Sequence, residues 1–220
     1  MKVRMRFFFA LLLAAGCSTV QAQFSLGLRG GVHYANWLSD SYPDYERREF
    51  ISGPTASVIA EMRVNKVIAF QVEAAWLQKG LRGVSDDTGY SLEEKAVLNY
   101  VEIPVLAKIG GGNKLRFDGI AGPSFSVALN GTTHIKTTIL GVSTSNTRDI
   151  DFDQASINRV DLSLQFGGIF SFKPAESLSL FLDARYIQGL VNLNGEYQNS
   201  SDPAAFNTGL SLSAGVLMHF

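Results

Sequence analysis

Three histidines, His33, His134 and His219, are the side chains best suited to proton transfer near neutral pH. A hydrolase would need one of them within reach of a nucleophile and an orienting acid. His33 could meet Asp161 or Asp183 if strands bring them face to face, but no recognisable Ser motif accompanies it. Asp149, Asp151 and Asp153 alternate, so an extended chain would put three carboxylates on one side. A calcium loop of the EF-hand kind would require Gly at position 154 and Glu at position 160, where Gln154 and Val160 stand. The single Cys17 excludes a disulfide within the chain and a thiolate zinc cluster. A larger set is ionic. Arg29, Arg63, Lys108, Arg116 and Arg185 share a strand face with Glu61, Glu73, Glu102, Asp118, Asp161 and Asp183. Opposite charges in that arrangement make either a salt-bridged filling or a proton or solute path.

The elements that would position these groups are strands. Apolar and polar residues alternate over Phe24–Tyr34, Thr55–Arg63, Ile68–Trp76, Tyr100–Ile109, Leu115–Leu129, Val160–Phe172, Leu178–Tyr186 and Asn207–Phe220. Short turns join the second strand to the third, the fourth to the fifth and the sixth to the seventh, at Val64–Lys66, Gly110–Lys114 and Lys173–Ser177. The other four connections are long and polar: Ser39–Ser52, Leu81–Ala96, Asn130–Arg159 and Leu190–Phe206. One end of the molecule therefore has tight turns and the other has long loops.

Composition narrows the class. The chain has 220 residues, 18% charged, with a net charge of -1, so it lacks the basic surface expected of a nucleic-acid binder. No run reaches the roughly 18 apolar residues of a spanning helix. Lys2, Arg4 and Arg6 precede the apolar run Phe7–Ala15, followed by small and polar residues, which reads as a secretory signal. Val20-Gln21-Ala22 supplies a cleavage site between Ala22 and Gln23; Leu13-Ala14-Ala15-Gly16-Cys17 is a competing lipobox-like site that would lipidate Cys17. Residues 1–22 are thus expected to be a signal peptide, and 23–220 the mature domain, Cys-free and with net charge shifted from -1 to -4 by loss of those three cations.

An exported chain of eight alternating strands predicts an all-β fold: an eight-stranded antiparallel up-and-down transmembrane β-barrel in the bacterial outer membrane. A soluble lipocalin-like or avidin-like barrel would alternate similarly with its apolar face inward. The aromatics favour apolar-out. Tyr34, Trp76, Phe125 and Tyr186 fall toward the long loops, and Phe24, Phe70, Phe117, Phe172 and Phe220 toward the short turns, as two interfacial girdles. The ionic face then lines the lumen. Arg29, Glu73, Glu102, Asp183 and Arg185 are expected near mid-height, and Glu61, Arg63, Lys108, Arg116 and Asp118 toward the short turns. An eight-stranded interior is just wide enough for side chains, so a filled lumen is the first reading. No cofactor is implied. Expected partners are outer-membrane lipid and lipopolysaccharide; Asp149, Asp151 and Asp153 read first as a solvated acidic loop end and no metal site is assigned, the alternative being a weak divalent-cation site that bridges lipopolysaccharide phosphates. The loops, with Tyr42, Tyr45 and Phe50 beside Arg47 and Arg48, suit an extracellular protein or glycan. Within Asn130–Arg159, the alternation of Ile135, Thr137 and Ile139 would extend the hairpin above the membrane.

The motifs Tyr100-Val101-Glu102-Ile103-Pro104-Val105-Leu106, Ala121-Gly122-Pro123-Ser124-Phe125 and Asp183-Ala184-Arg185-Tyr186 followed by Gly189-Leu190 resemble the small PorT-like outer-membrane β-barrel domain proteins of Bacteroidetes-type bacteria. With the barrel pattern, the resemblance spans Gln23 to Phe220. It implies no catalytic residue. By resemblance to other outer-membrane proteins, Phe220 would be read by the barrel-assembly machinery. The function expected is structural or surface-interacting and non-enzymatic. The alternatives are a narrow solute channel or an accessory of a secretion system, and then a barrel lipid hydrolase.

Overall fold

The computed structural model describes residues 23–39, 47–152, 154, 157–194 and 204–220. The signal segment 1–22, with Cys17 and Ala22, and the loop residues Tyr42, Tyr45 and Asp153 lie outside them. Among the described residues ten strands form one sheet: β1 (Gln23–Ser39), β2 (Arg47–Glu49), β3 (Ile51–Arg63), β4 (Ile68–Asp87), β5 (Tyr90–Gly112), β6 (Leu115–Ile139), β7 (Val142–Asp149), β8 (Val160–Ala175), β9 (Leu178–Gly189) and β10 (Ala205–His219). Eight of them pair antiparallel in the circular order β1, β3, β4, β5, β6, β8, β9, β10, and β10 returns to β1. The closing ladder runs from Ser25 opposite His219 to Ser39 opposite Ala205. The ring has no free edge, which is what a sheet in hydrocarbon requires, because lipid offers backbone groups no partner.

The outward face is apolar. Leu28 is 60% exposed, Val58 56% and Leu182 62%. Their chain neighbours Arg29, Ser57 and Asp183 are buried. The named girdle aromatics all point outward, and Tyr186 accepts a hydrogen bond from Thr208 at 2.8 Å and donates one to Gln188 at 2.8 Å. Rings with a polar tip held this way suit the headgroup level.

Two expectations need correction. Residues 81–96 are not a loop. β4 and β5 continue in register to Asp87 opposite Tyr90, with Arg82 reaching Glu93 at 2.8 Å across the pair and Glu49 of β2 at 2.7 Å. Within 130–159, as the alternation of Ile135, Thr137 and Ile139 predicts, β6 continues the hairpin and turns at Leu140 and Gly141 into β7. With β2 on β4, these strands rise from the barrel as a paddle, exposed along the whole of β7. The stretch 81–96 hid its strands because its buried members, Leu81, Val84 and Ala96, do not alternate with polar residues in a regular two-residue pattern. The second correction is inside. The lumen is not lined by polar and small residues alone. Ile59, Leu106, Ile120, Ile169, Phe181 and Leu217 form one buried apolar layer, and Leu77, Leu98, Tyr100, Ala128, Phe152 and Ile187 another.

Inward glycines make room for these layers. A Cβ at Gly215 would lie 2.4 Å from the Phe181 ring, and one at Gly167 would lie 2.0 Å from the Ala184 carbonyl oxygen. The second contact is with backbone, which cannot swing aside.

The closed ring predicts resistance to SDS until boiling. Purified protein should migrate differently in boiled and unboiled samples and give a strand-dominated circular dichroism spectrum. A single band position in both samples would contradict closure.

Candidate functional site: an ion-paired chain through the lumen

Inward parity carries the charged side chains to the barrel axis, where the surrounding strands hold them a few ångströms apart. At mid-height Arg29 reaches Glu73 at 3.0 Å and Asp183 at 3.5 Å, and Arg185 reaches Glu73 at 2.7 Å and Asp183 at 2.6 Å. Ser57 bridges this group, accepting from Arg29 at 3.1 Å and donating to Glu73 at 3.0 Å. Toward the short turns Glu61 is shared by Arg63 at 2.7 Å and Lys108 at 2.6 Å, while Arg116 pairs with Asp118 at 2.6 Å. Arg29, Glu61, Glu73, Glu102, Lys108, Asp118, Asp161, Asp183 and Arg185 are buried, and Arg63 and Arg116 are partly buried beside the short-turn mouth.

Two glutamines make the groups continuous. Gln71 accepts from Lys108 at 3.1 Å and donates to Glu73. Gln165 accepts from Arg185 at 3.4 Å and donates to Glu102. From Glu102 the chain passes to Lys79 at 3.0 Å, to Asp161 at 3.0 Å, and to Asn207, which donates to Asp161 at 2.9 Å. A line of hydrogen bonds and ion pairs thus runs from Arg63 near the short turns to Asn207 near the long-loop end.

Lys79 is the residue that sequence reading missed. It is buried, donates to Ser126 at 3.1 Å and lies 4.8 Å from the centre of the Tyr100 ring. The signal was present: Gln71, Glu73, Ala75, Leu77 and Lys79 have the same parity, but the strand was read as ending at the aromatic Trp76. With Lys79 included, the lumen cations are Arg29, Arg63, Lys79, Lys108, Arg116 and Arg185, matching in number Glu61, Glu73, Glu102, Asp118, Asp161 and Asp183.

The histidines are apart. His33 is buried against β10, where a Cβ on Gly209 would meet its ring at 2.5 Å. Neither Asp161 nor Asp183 forms an ion pair or hydrogen bond with it among the described residues. His134 is exposed on β6, with Nδ1 2.8 Å from the Thr147 hydroxyl. His219 has two serines that sequence reading did not assign to it: Ser25 Oγ lies 2.7 Å from Nδ1 and Ser179 Oγ 2.7 Å from Nε2. A hydroxyl on each nitrogen leaves none for the orienting carboxylate of a hydrolytic triad. Among the described residues no group of His, Cys, Asp or Glu is arranged to hold a metal. Phe220 follows β10, its N–H donating to the Phe24 carbonyl at 2.9 Å and its ring 73% exposed. Gln23 opens β1.

Two wider spaces flank the chain. At the long-loop end, a cavity of about 530 Å³ is lined by Trp37, Leu81, Ile135, Ile150 and Leu193, with Asn146 and Arg148 among its polar walls. At the short-turn end, a mouth of about 780 Å³ is lined by Arg63, Lys66, Lys108, Lys114 and Arg116.

A family profile described as an outer membrane protein β-barrel domain matches residues 20–195. No curated protein matches the chain significantly. Among solved structures, the attachment invasion locus protein Ail of Yersinia pestis is similar at 13% identity over 90% of this chain and 99% of that one, with a TM-score of 0.44. Neisserial surface protein A gives 13% identity, 90% and 97% coverage, and a TM-score of 0.44. The outer membrane protease OmpT of Escherichia coli gives 9% identity, 92% and 98% coverage, and a TM-score of 0.49. None brings a functional residue to this chain.

The network predicts an asymmetry between single substitutions. Lys79→Met leaves two buried carboxylates without their cation, and breaking a buried pair costs on the order of 3–5 kcal/mol before lumen water softens it. Glu102→Gln keeps an acceptor for Gln165 and leaves Lys79 on Asp161. Urea unfolding in detergent should place Lys79→Met well below Glu102→Gln. Equal midpoints would show that Lys79 is not the cation that balances both acids.

Proposed function

This chain belongs to the outer membrane protein β-barrel domain family and resides in the bacterial outer membrane, and we propose that it serves there as a structural or surface-interaction protein rather than as a channel or an enzyme. The observation that carries this reading is the filled lumen. The ionic chain is interleaved with two apolar layers, and the central side chains Arg185, Glu73 and Asp183 are at most 3% exposed. Solutes would have to break paired charges to pass. A spread of interaction surface lies instead on the paddle, whose tip exposes Tyr90, Ile139, Leu140 and Val142. Leu140 holds φ 47° there, a left-handed turn position where Gly or Asn is the unstrained choice. A bulky aliphatic residue kept exposed at such a position supports a contact role for an extracellular protein or glycan partner.

The finer assignment is to the PorT-like group of Bacteroidetes-type bacteria, on the motifs around Glu102, Pro123 and Arg185. Export by a signal peptide cleaved between Ala22 and Gln23 belongs to the same proposal.

Two measurements test it. Purified protein in planar bilayers should give no steady conductance; nanosiemens-scale current would make it a pore. For orientation, Leu140→Cys should react with an impermeant maleimide on intact cells, and Lys114→Cys only after the outer membrane is opened. The reverse pattern would put the paddle inside the cell envelope and end the surface-interaction reading.

A further inference from the structure

The mouth at the short-turn end has a charge excess that the lumen network does not absorb. In the upper part of the network Arg29, Lys79 and Arg185 face Glu73, Glu102, Asp161 and Asp183. At the mouth the balance reverses. Arg63, Lys108 and Arg116 outnumber Glu61 and Asp118, and Lys66, Lys114 and Lys173 stand on the rim with Glu176 the sole rim acid among the lining residues. Glu176 pairs with Lys173 at 2.8 Å and its side chain is fully exposed. Lys66 and Lys114 have no ion-pair partner among the described residues, and the inner Nη1 of Arg63 is buried without a hydrogen bond while its Nη2 holds Glu61.

These donors come from three different turns around a space of about 780 Å³. That is more room than one phosphate group occupies, and the cations are spread around it rather than focused on one point. The wall adds the hydroxyl of Ser171. A concave site of one charge sign with low-dielectric walls focuses its field on the opening and concentrates counter-ions there. The expected net charge of the mature chain is negative, so the positive mouth is a local feature, not a reflection of overall composition.

We propose that this mouth binds a small multivalent anion of the diphosphate class, either a soluble diphosphate or the phosphates of a lipid headgroup, entering from the side of the short turns. Lys66 and Lys114 supply unpaired ammonium groups at the rim, and Arg63, held on Glu61 through Nη2, adds its charge below them. The site is separate from the paddle and makes no demand on the closed lumen.

Calorimetric titration of the full barrel in phosphatidylcholine nanodiscs with inorganic pyrophosphate tests this. At low salt, binding should be saturable at one site and weaken as ionic strength rises. The double variant Lys66→Gln/Lys114→Gln should weaken it about ten-fold or more, since two charges close to the ligand are lost. Both residues are exposed on turns, and an unchanged heat-dependent gel shift would verify the fold. A paddle control, Lys95→Gln/Lys136→Gln, should leave binding as in the wild type. Nanodiscs containing a prenyl diphosphate lipid separate the sources: competition with pyrophosphate assigns the site to a lipid diphosphate, and undiminished binding assigns it to a soluble ligand. Absence of saturable binding, or equal weakening by the mouth and paddle variants, would overturn the site.

Discussion

The pairing of β10 with β1 is the constraint from which the other features follow. An open eight-stranded sheet would leave two rows of backbone donors and acceptors facing lipid, each unsatisfied group costing several kcal/mol. Once Ser25 lies opposite His219 and the ladder continues to Ser39 opposite Ala205, parity is fixed on every strand around the ring. One set of side chains must meet hydrocarbon and the other must share a narrow interior. A slip of one residue on any strand would exchange the two sets. The charges of Arg29, Glu73 and Arg185 would then face lipid, so the ionic core enforces register as much as it fills space.

The interior solves the resulting problem in alternating layers. The apolar set around Ile59 and Phe181 lies between the charged groups of the short-turn end and those at mid-height, and the set around Leu98 and Ile187 covers the upper end. Ion pairs kept from water gain in Coulomb attraction but lose hydration, so they are tolerated only when each group is well partnered. Gln71 and Gln165 supply that partnering. Each uses its carbonyl toward a cation and its amide toward a carboxylate, which neither Glu nor Lys could do at the same place.

Much of this was legible in the sequence because period two is a direct consequence of the pleat. The lumen set from Arg29 to Arg185 was assigned by parity alone. The apolar layers were not legible for the same reason. Val58-Ile59-Ala60, Val105-Leu106-Ala107 and Leu180-Phe181-Leu182 read as uninterrupted apolar runs, so the inward member is indistinguishable from its outward neighbours. Lys79 was lost at a boundary: alternation was followed only as far as the girdle at Trp76, although the strand continues above it. The upper parts of β4 and β5, Leu81–Asp87 and Tyr90–Ala96, lack a regular alternation and so resembled a loop, whereas Ile135, Thr137 and Ile139 marked the upper part of β6. The serines around His219 lie on strands distant in sequence, and only the ring closure brings Ser25 to the last strand.

The length of β5 has a consequence of its own. Its outward apolar stretch, Val101 to Ile109, is enough for the bilayer, yet the strand begins at Tyr90. The residues from Tyr90 to Tyr100 rise at about 3.3 Å each, which with tilt lifts the turn roughly 25 Å above the hydrocarbon edge. Leu140 is thus held clear of the lipid surface, within reach of a body too large to approach the bilayer itself.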